Sequence, residues 1–148
     1  MEPFTALVVI LALVLSATAL GLVWRAQQGR IAPVAGDVIT PTDVASEVPF
    51  GRDATLLLFS TELCARCPGT SRLLAGVAGS RPGVAHLNVD LTHRADLANR
   101  YGVMQTPTTL ILDGTGRVRA RIGGVPHRAG IARHLDDLTG SSHVRLAS

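Results

Sequence analysis

The chain has 148 residues, enough for one domain of about 100 residues with an appendage and too few for two independent cores. Hydrophobic residues make up 47% and charged residues only 17%, below the roughly 25% of an average soluble domain, which excludes disorder and implies a membrane segment. The net charge is +3 with no lysine at all, which excludes Schiff-base and P-loop chemistry, and 3% aromatic content leaves almost nothing from which to build base-stacking surfaces, so nucleic acid is not an expected partner.

From Phe4 to Trp24 there is no charged residue, and at 1.5 Å per residue this stretch covers about 30 Å, the thickness of a bilayer's hydrocarbon core. It reads as a single transmembrane helix over residues 4–24, giving a single-pass protein held in the lipid bilayer. A cleaved signal peptide is the competing reading, since Ala17-Thr18-Ala19 resembles a cleavage site, but the start Met1-Glu2-Pro3 lacks a positive n-region. Trp24 falls where an interfacial aromatic sits. Arg25 and Arg30 on the C-terminal side favour a cytoplasmic domain, with the extracytoplasmic side as the alternative. Residues 25–47 mix Pro33, Gly36, Pro41 and small polar residues without a sustained period and read as a linker with at most one short element.

The folded domain is expected over 48–140. Thr55 to Phe59 is a continuous apolar run suited to a strand covered on both faces. Leu73, Leu74, Val77 and Ala78 recur at helical spacing up to Gly79, and Pro82-Gly83 makes a turn. Val84 to Asp90 is a second strand, and Thr92 is placed to cap a helix carrying Leu97 and Tyr101. Thr108 to Leu112 is a third strand, followed by the turn Asp113 to Gly116 and by Arg117 to Ile122, where arginine alternates with apolar residues. That alternation reads as the protection of an edge strand rather than as a binding patch. Ile131, Leu135 and Leu138 share one face of a last helix ending near Gly140, leaving 141–148 as a flexible tail. The order β-α-β-α-β-β-α predicts an α/β fold, one mixed sheet flanked by helices.

Cys64-Ala65-Arg66-Cys67 lies where the first strand gives way to a helix, and this context makes the pair a redox candidate. The free amides and positive dipole end at a helix start favour a thiolate, so Cys64 is the expected nucleophile and Cys67 the resolving thiol. Arg66 adds a guanidinium; each 1.4 kcal/mol or so of thiolate stabilisation raises the reduction potential by about 30 mV. Such exchange needs no cofactor. The pair is also half a zinc site, but no second pair exists to complete it, so no metal is expected.

Beyond the cysteines, the strand-CxxC-helix order, His86-Leu87-Asn88-Val89-Asp90, Tyr101-Gly102-Val103 and Thr106-Pro107-Thr108 together resemble the thioredoxin superfamily over roughly 54–139. With the apolar N-terminus, the chain looks most like its membrane-tethered, TlpA-like thiol-disulfide oxidoreductases. The resemblance implies a thioredoxin-like fold, a cis Pro107 facing the cysteines, a Thr106 backbone that bonds an extended substrate, a Gly123 that gives substrate access, and protein thiols or disulfides as partners. Departures from the family pattern are equally specific. The middle pair is Ala65-Arg66, Leu63 replaces the preceding aromatic, and the buried acid expected six residues before Cys64 is Leu58. The lysine that faces that acid is His86, leaving Glu62 or His86 as stand-in proton carriers. Pro68 lacks an amide, and an irregular first helical turn is expected from its clash with the Cys64 carbonyl. Two other functions remain compatible with these residues: a redox-inert adaptor with permanently bridged cysteines, and a metal- or haem-delivery partner using the same thiols.

Overall fold

The computed structural model describes residues 2–34 and 36–146. It opens with α1 (Pro3–Gln27), whose 25 residues have a mean hydropathy of 2.7 in their most apolar window and bury nothing against the rest of the chain. Two of its three hydroxyls, those in the middle of the apolar stretch, are satisfied within the helix: Ser16 donates to the Ala12 carbonyl and Thr18 to that of Val14, both at 2.7 Å. This is the arrangement an apolar medium demands of polar side chains, so α1 is long and apolar enough to cross a membrane.

The remaining elements are β1 (Ile31–Pro33), a 3₁₀ turn (Pro41–Val44), β2 (Ala54–Ser60), α2 (Cys67–Gly79), β3 (Val84–Asp90), α3 (Ala95–Arg100), β4 (Thr108–Asp113), β5 (Val118–Gly123) and α4 (Arg128–Leu146). They form one five-stranded mixed sheet in the order β1-β5-β4-β2-β3, with β2 and β3 parallel and every other pair antiparallel. The parallel pair requires a crossover, which α2 supplies. β2 is buried throughout because both faces of the sheet are covered. Leu57 and Phe59 point into one core with Leu87, Val89, Leu97 and Leu110. Leu56 and Leu58 point into the other, with Leu74, Val77, Ile111, Ile131 and Leu135 beneath α2 and α4. Burying each such side chain is worth about 1.5–3 kcal/mol, which fixes the register of β2 and thereby the loop that leaves its end.

Several sequence expectations change in the structure. The stretch 25–47 is more than a linker: β1 pairs antiparallel with β5, and Ile39 and Val44 are 2% and 4% exposed in the first core. β5 is therefore an interior strand, and the edge on that side is β1. The β5 arginines answer to local partners: Arg119 approaches Asp113 at 3.8 Å, and Arg121 donates to the carbonyls of Tyr101 and Gly102. Thr92 does not cap α3, whose N-cap is Arg94. The last helix passes Gly140 and continues to Leu146, which removes most of the expected tail; residues 147–148 lie outside the described residues.

Candidate functional site

The end of β2 delivers a short loop, Thr61–Arg66, to the start of α2. Cys64 donates its N–H to the Thr61 carbonyl and Cys67 donates to the Cys64 carbonyl, both at 3.1 Å, so the cysteines close a turn before the helix proper begins at Cys67. This resolves the difficulty expected at Pro68. It occupies the first turn of α2, where its missing N–H costs no helical bond, and the Cys64 carbonyl it would have met lies outside the helix. Arg66 is the N-cap; its carbonyl accepts from both the N–H and the hydroxyl of buried Thr70, at 3.1 and 3.0 Å.

A disulfide joins Cys64 and Cys67, with Cα atoms 5.4 Å apart. The two sulfurs differ in access: Cys67 is 4% exposed while Cys64 is half-buried. An incoming thiolate therefore meets Cys64 first. Arg66 is exposed beside the pair. Thr92, missed as a site residue, holds the other side of the loop. Its hydroxyl accepts the Glu62 N–H at 3.0 Å and donates to Asp90 Oδ1 at 2.5 Å; with the Thr92 N–H, which donates to the same oxygen at 2.8 Å, it holds the Asp90 carboxyl below its ordinary range. The Asp-x-Thr spacing at the end of β3 was its sequence signal, hidden by the equally good reading as a helix cap.

Facing the disulfide is the loop before β4, where Thr106-Pro107 is a cis peptide. The Gln105 carbonyl accepts the Thr108 hydroxyl at 2.7 Å and the Pro107 carbonyl accepts the Gly124 N–H at 2.8 Å, while the Thr106 backbone has no internal partner among the described residues. The hydroxyls of Thr106 and Thr61 meet across the cleft at 3.4 Å. Cys64, Arg66, Thr106 and Pro107 thus line one cleft of about 910 Å³. The glycine of the redox domain on its wall is Gly124, at φ +84. Gly123 lies one residue earlier, packed against the Gln105 side chain in an adjoining groove, and its carbonyl accepts the Gly29 N–H at 2.8 Å.

On the far side of the bridge a second recess of about 420 Å³ brings Cys67 together with Glu62, Ser71 and Asp90. Of the two stand-in proton carriers, Glu62 lines this recess and His86 lies behind it. His86 Nδ1 is 3.1 Å from the Leu56 carbonyl, which requires Nδ1 to be the donor, so Nε2 accepts from Ser71 Oγ at 3.0 Å. Burial pushes the imidazole below its ordinary pKa, keeping it neutral. Leu58, at the position of the missing acid, is fully buried in the apolar core beneath α2.

No family model matches the sequence, and no curated protein matches it. Solved structures do match in three dimensions. A mutant thioredoxin from Halobacterium salinarum aligns with a TM-score of 0.52 at 19% identity, covering 60% of this chain and 76% of that one. Mitochondrial thioredoxin 3 from Saccharomyces cerevisiae, in its oxidized form, gives 0.51 at 21% identity over 59% and 80%. The thioredoxin of Trypanosoma brucei brucei gives 0.50 at 22% over 59% and 75%. The mixed sheet, the bridged Cys64–Cys67 pair at the head of α2 and these neighbours establish that the chain has the thioredoxin fold, preceded by an apolar helix.

Proposed function

We propose that this protein is a membrane-tethered thiol-disulfide oxidoreductase acting on protein substrates. The observation that carries the reading is the cleft in which an accessible sulfur of a bridged CxxC pair faces the unpaired backbone of Thr106. A partner thiolate attacks Cys64 Sγ, the Cys64–Cys67 bond breaks, and its electron pair leaves on Cys67. A second partner thiolate then attacks the partner's sulfur in the mixed disulfide and expels Cys64 as thiolate; the partner is oxidised and the pair reduced. Reduction of a partner disulfide runs the same steps backwards, with Cys67 resolving. Thr106 offers an N–H and a carbonyl to an extended substrate segment, and Pro107 shapes the wall beside them, with Gly124 rather than Gly123 on the same cleft. Arg66 stabilises the thiolate form. Glu62, in the recess beside Cys67, takes the proton that Cys67 releases. The helix α1 holds the domain at the bilayer, and Arg25 and Arg30 on its C-terminal side favour the cytoplasmic face.

The test is substrate trapping in membranes with Cys67→Ser. Mixed disulfides with proteins should accumulate in this variant and be absent from Cys64→Ser, and only the parent should catalyse insulin reduction by dithiothreitol. A parent chain that neither cycles nor traps would overturn the proposal. Labelling intact cells with an impermeant thiol reagent reads the side: Cys64 protected until permeabilisation is the expected result, and labelling from outside reverses the orientation.

A further inference from the structure

The exchange cleft is not closed by the redox domain alone. Gly21, Trp24, Arg25 and Gln28 line it together with Cys64 and Pro107. Gly21, Trp24 and Arg25 follow the spacing of one helical face and Gln28 caps the helix just beyond them, so the end of α1 forms a wall of the cleft. The junction that holds this wall is short. Between the end of α1 at Gln27 and the start of β1 at Ile31 stand only Gln28, Gly29 and Arg30. Even these are not free: Gly29 is buried at φ +75, donates its N–H to the Gly123 carbonyl at 2.8 Å, and has no room for a Cβ against the Val125 carbonyl. Three residues could reach at most about 11 Å if extended, and the bond at Gly29 removes most of that freedom.

The uncharged part of α1 ends at Trp24, the residue suited to the bilayer interface, and Gly21 lies one helical turn, about 5 Å, deeper. A cleft walled by residues on both sides of Trp24 opens at the depth of the lipid head groups. Leu63, next to Cys64 on the same cleft, is 97% exposed and offers an apolar contact at that depth. We propose that α1 is a working wall of the active site, and that the partner is a dithiol or disulfide carried by a membrane-embedded protein within a few residues of the same bilayer surface. This rests on the membrane-tethered oxidoreductase reading given above. A soluble partner would have to bring its sulfur into the head-group layer, whereas a membrane-embedded one presents it there.

The test uses the full chain carrying Cys67→Ser, reduced and reconstituted in phosphatidylcholine vesicles. The probes are apolar transmembrane peptides with one cysteine activated as a thionitrobenzoate mixed disulfide. That cysteine stands about three or about twenty residues beyond the interface on a Gly/Ser spacer. Cys64 thiolate attacks the peptide sulfur and releases coloured thionitrobenzoate, which reports the rate. The near probe should react at least about tenfold faster than the far probe. A flexible insertion of about twenty Gly/Ser residues after Gln28 should bring that ratio close to one. Equal rates for the two probes in the uninserted chain, or a ratio unmoved by the insertion, would overturn the proposal. Two controls separate its failure from that of the reading beneath it. Loss of the chain from vesicles in alkaline carbonate would refute the anchor, and failure of the parent protein to be reduced and reoxidised by a soluble glutathione couple would refute the exchange chemistry. With both controls passed, a missing depth preference refutes the wall alone.

Discussion

Replacing Gly29 by alanine tests how firmly the apolar helix is joined to the sheet. A non-glycine residue in the left-handed region costs about 1–2 kcal/mol. The added methyl also meets the Val125 carbonyl, and moving away from it breaks the Gly29 N–H bond to Gly123, worth about 0.5–1.5 kcal/mol. The sum is about 1.5–3.5 kcal/mol if the junction stays docked. For a domain of this size each kcal/mol moves the melting temperature by about 4 °C, so Gly29→Ala should unfold roughly 6–14 °C below the parent in detergent-solubilised full-length protein. If β1 peels away first, the loss appears instead as faster amide exchange at Val34, whose N–H bonds the Arg119 carbonyl at 3.1 Å. Gly79→Ala is the matched control, because a Cβ there meets nothing within 4 Å. It should leave the domain unchanged or up to about 1 kcal/mol more stable. A Gly29→Ala protein with the melting temperature and the exchange pattern of the parent would refute the docked junction.

Other substitutions probe the site itself. His86 titrates below its ordinary 6.5 because burial disfavours the cation. The unfolded chain therefore binds the extra proton first, and the stability from neutral His86 is complete above about pH 6.5 and declines as the pH falls through that value toward the lowered one. Denaturant unfolding from pH 7.5 to 5 should show a shallower decline for His86→Gln, the remainder coming from His134, which burial shifts the same way; identical slopes would contradict this. Thr92→Val removes the acceptor for the Glu62 N–H, so exchange of that amide should rise about five- to tenfold, as expected for a bond worth about 1 kcal/mol, with little change in global stability. Arg66 is exposed, where a single charge is worth about 0.2–1 kcal/mol, so Arg66→Ala should lower the reduction potential by only about 5–20 mV. High salt should shrink the difference further, and a shift near 100 mV would show that Arg66 acts by another route.

Much of the domain was legible because its signals are local and strong. The all-apolar β2, the turn at Asp113 to Gly116, and the helical face of Ile131 and Leu135 each follow from a short stretch of side chains. β1 was not legible. Its three residues carry a proline and no alternation, and the strand exists because β5 offers an open edge. Ile39 and Val44 were missed for the same reason: a lone apolar residue in a Pro/Gly-rich stretch says nothing about which core will receive it. At the site, the cysteine pair and Thr106-Pro107 were readable as motifs, but the turn that sets Cys64 ahead of the helix depends on hydrogen bonds at Thr61 and Cys64. The approach of Trp24 and Gln28 to Cys64 joins residues far apart in the chain, and no periodicity reports it.

The asymmetry of the two sulfurs is the centre of the account, and it is measured most directly by iodoacetamide alkylation of the reduced full-length protein across pH, with each cysteine quantified by mass spectrometry. Cys64 should alkylate first, with an apparent pKa well below the roughly 8.5 of a free thiol, and Cys67 at least about tenfold more slowly, in keeping with its 4% exposure. Equal rates with both thiols titrating near the free value, or faster modification of Cys67, would contradict it.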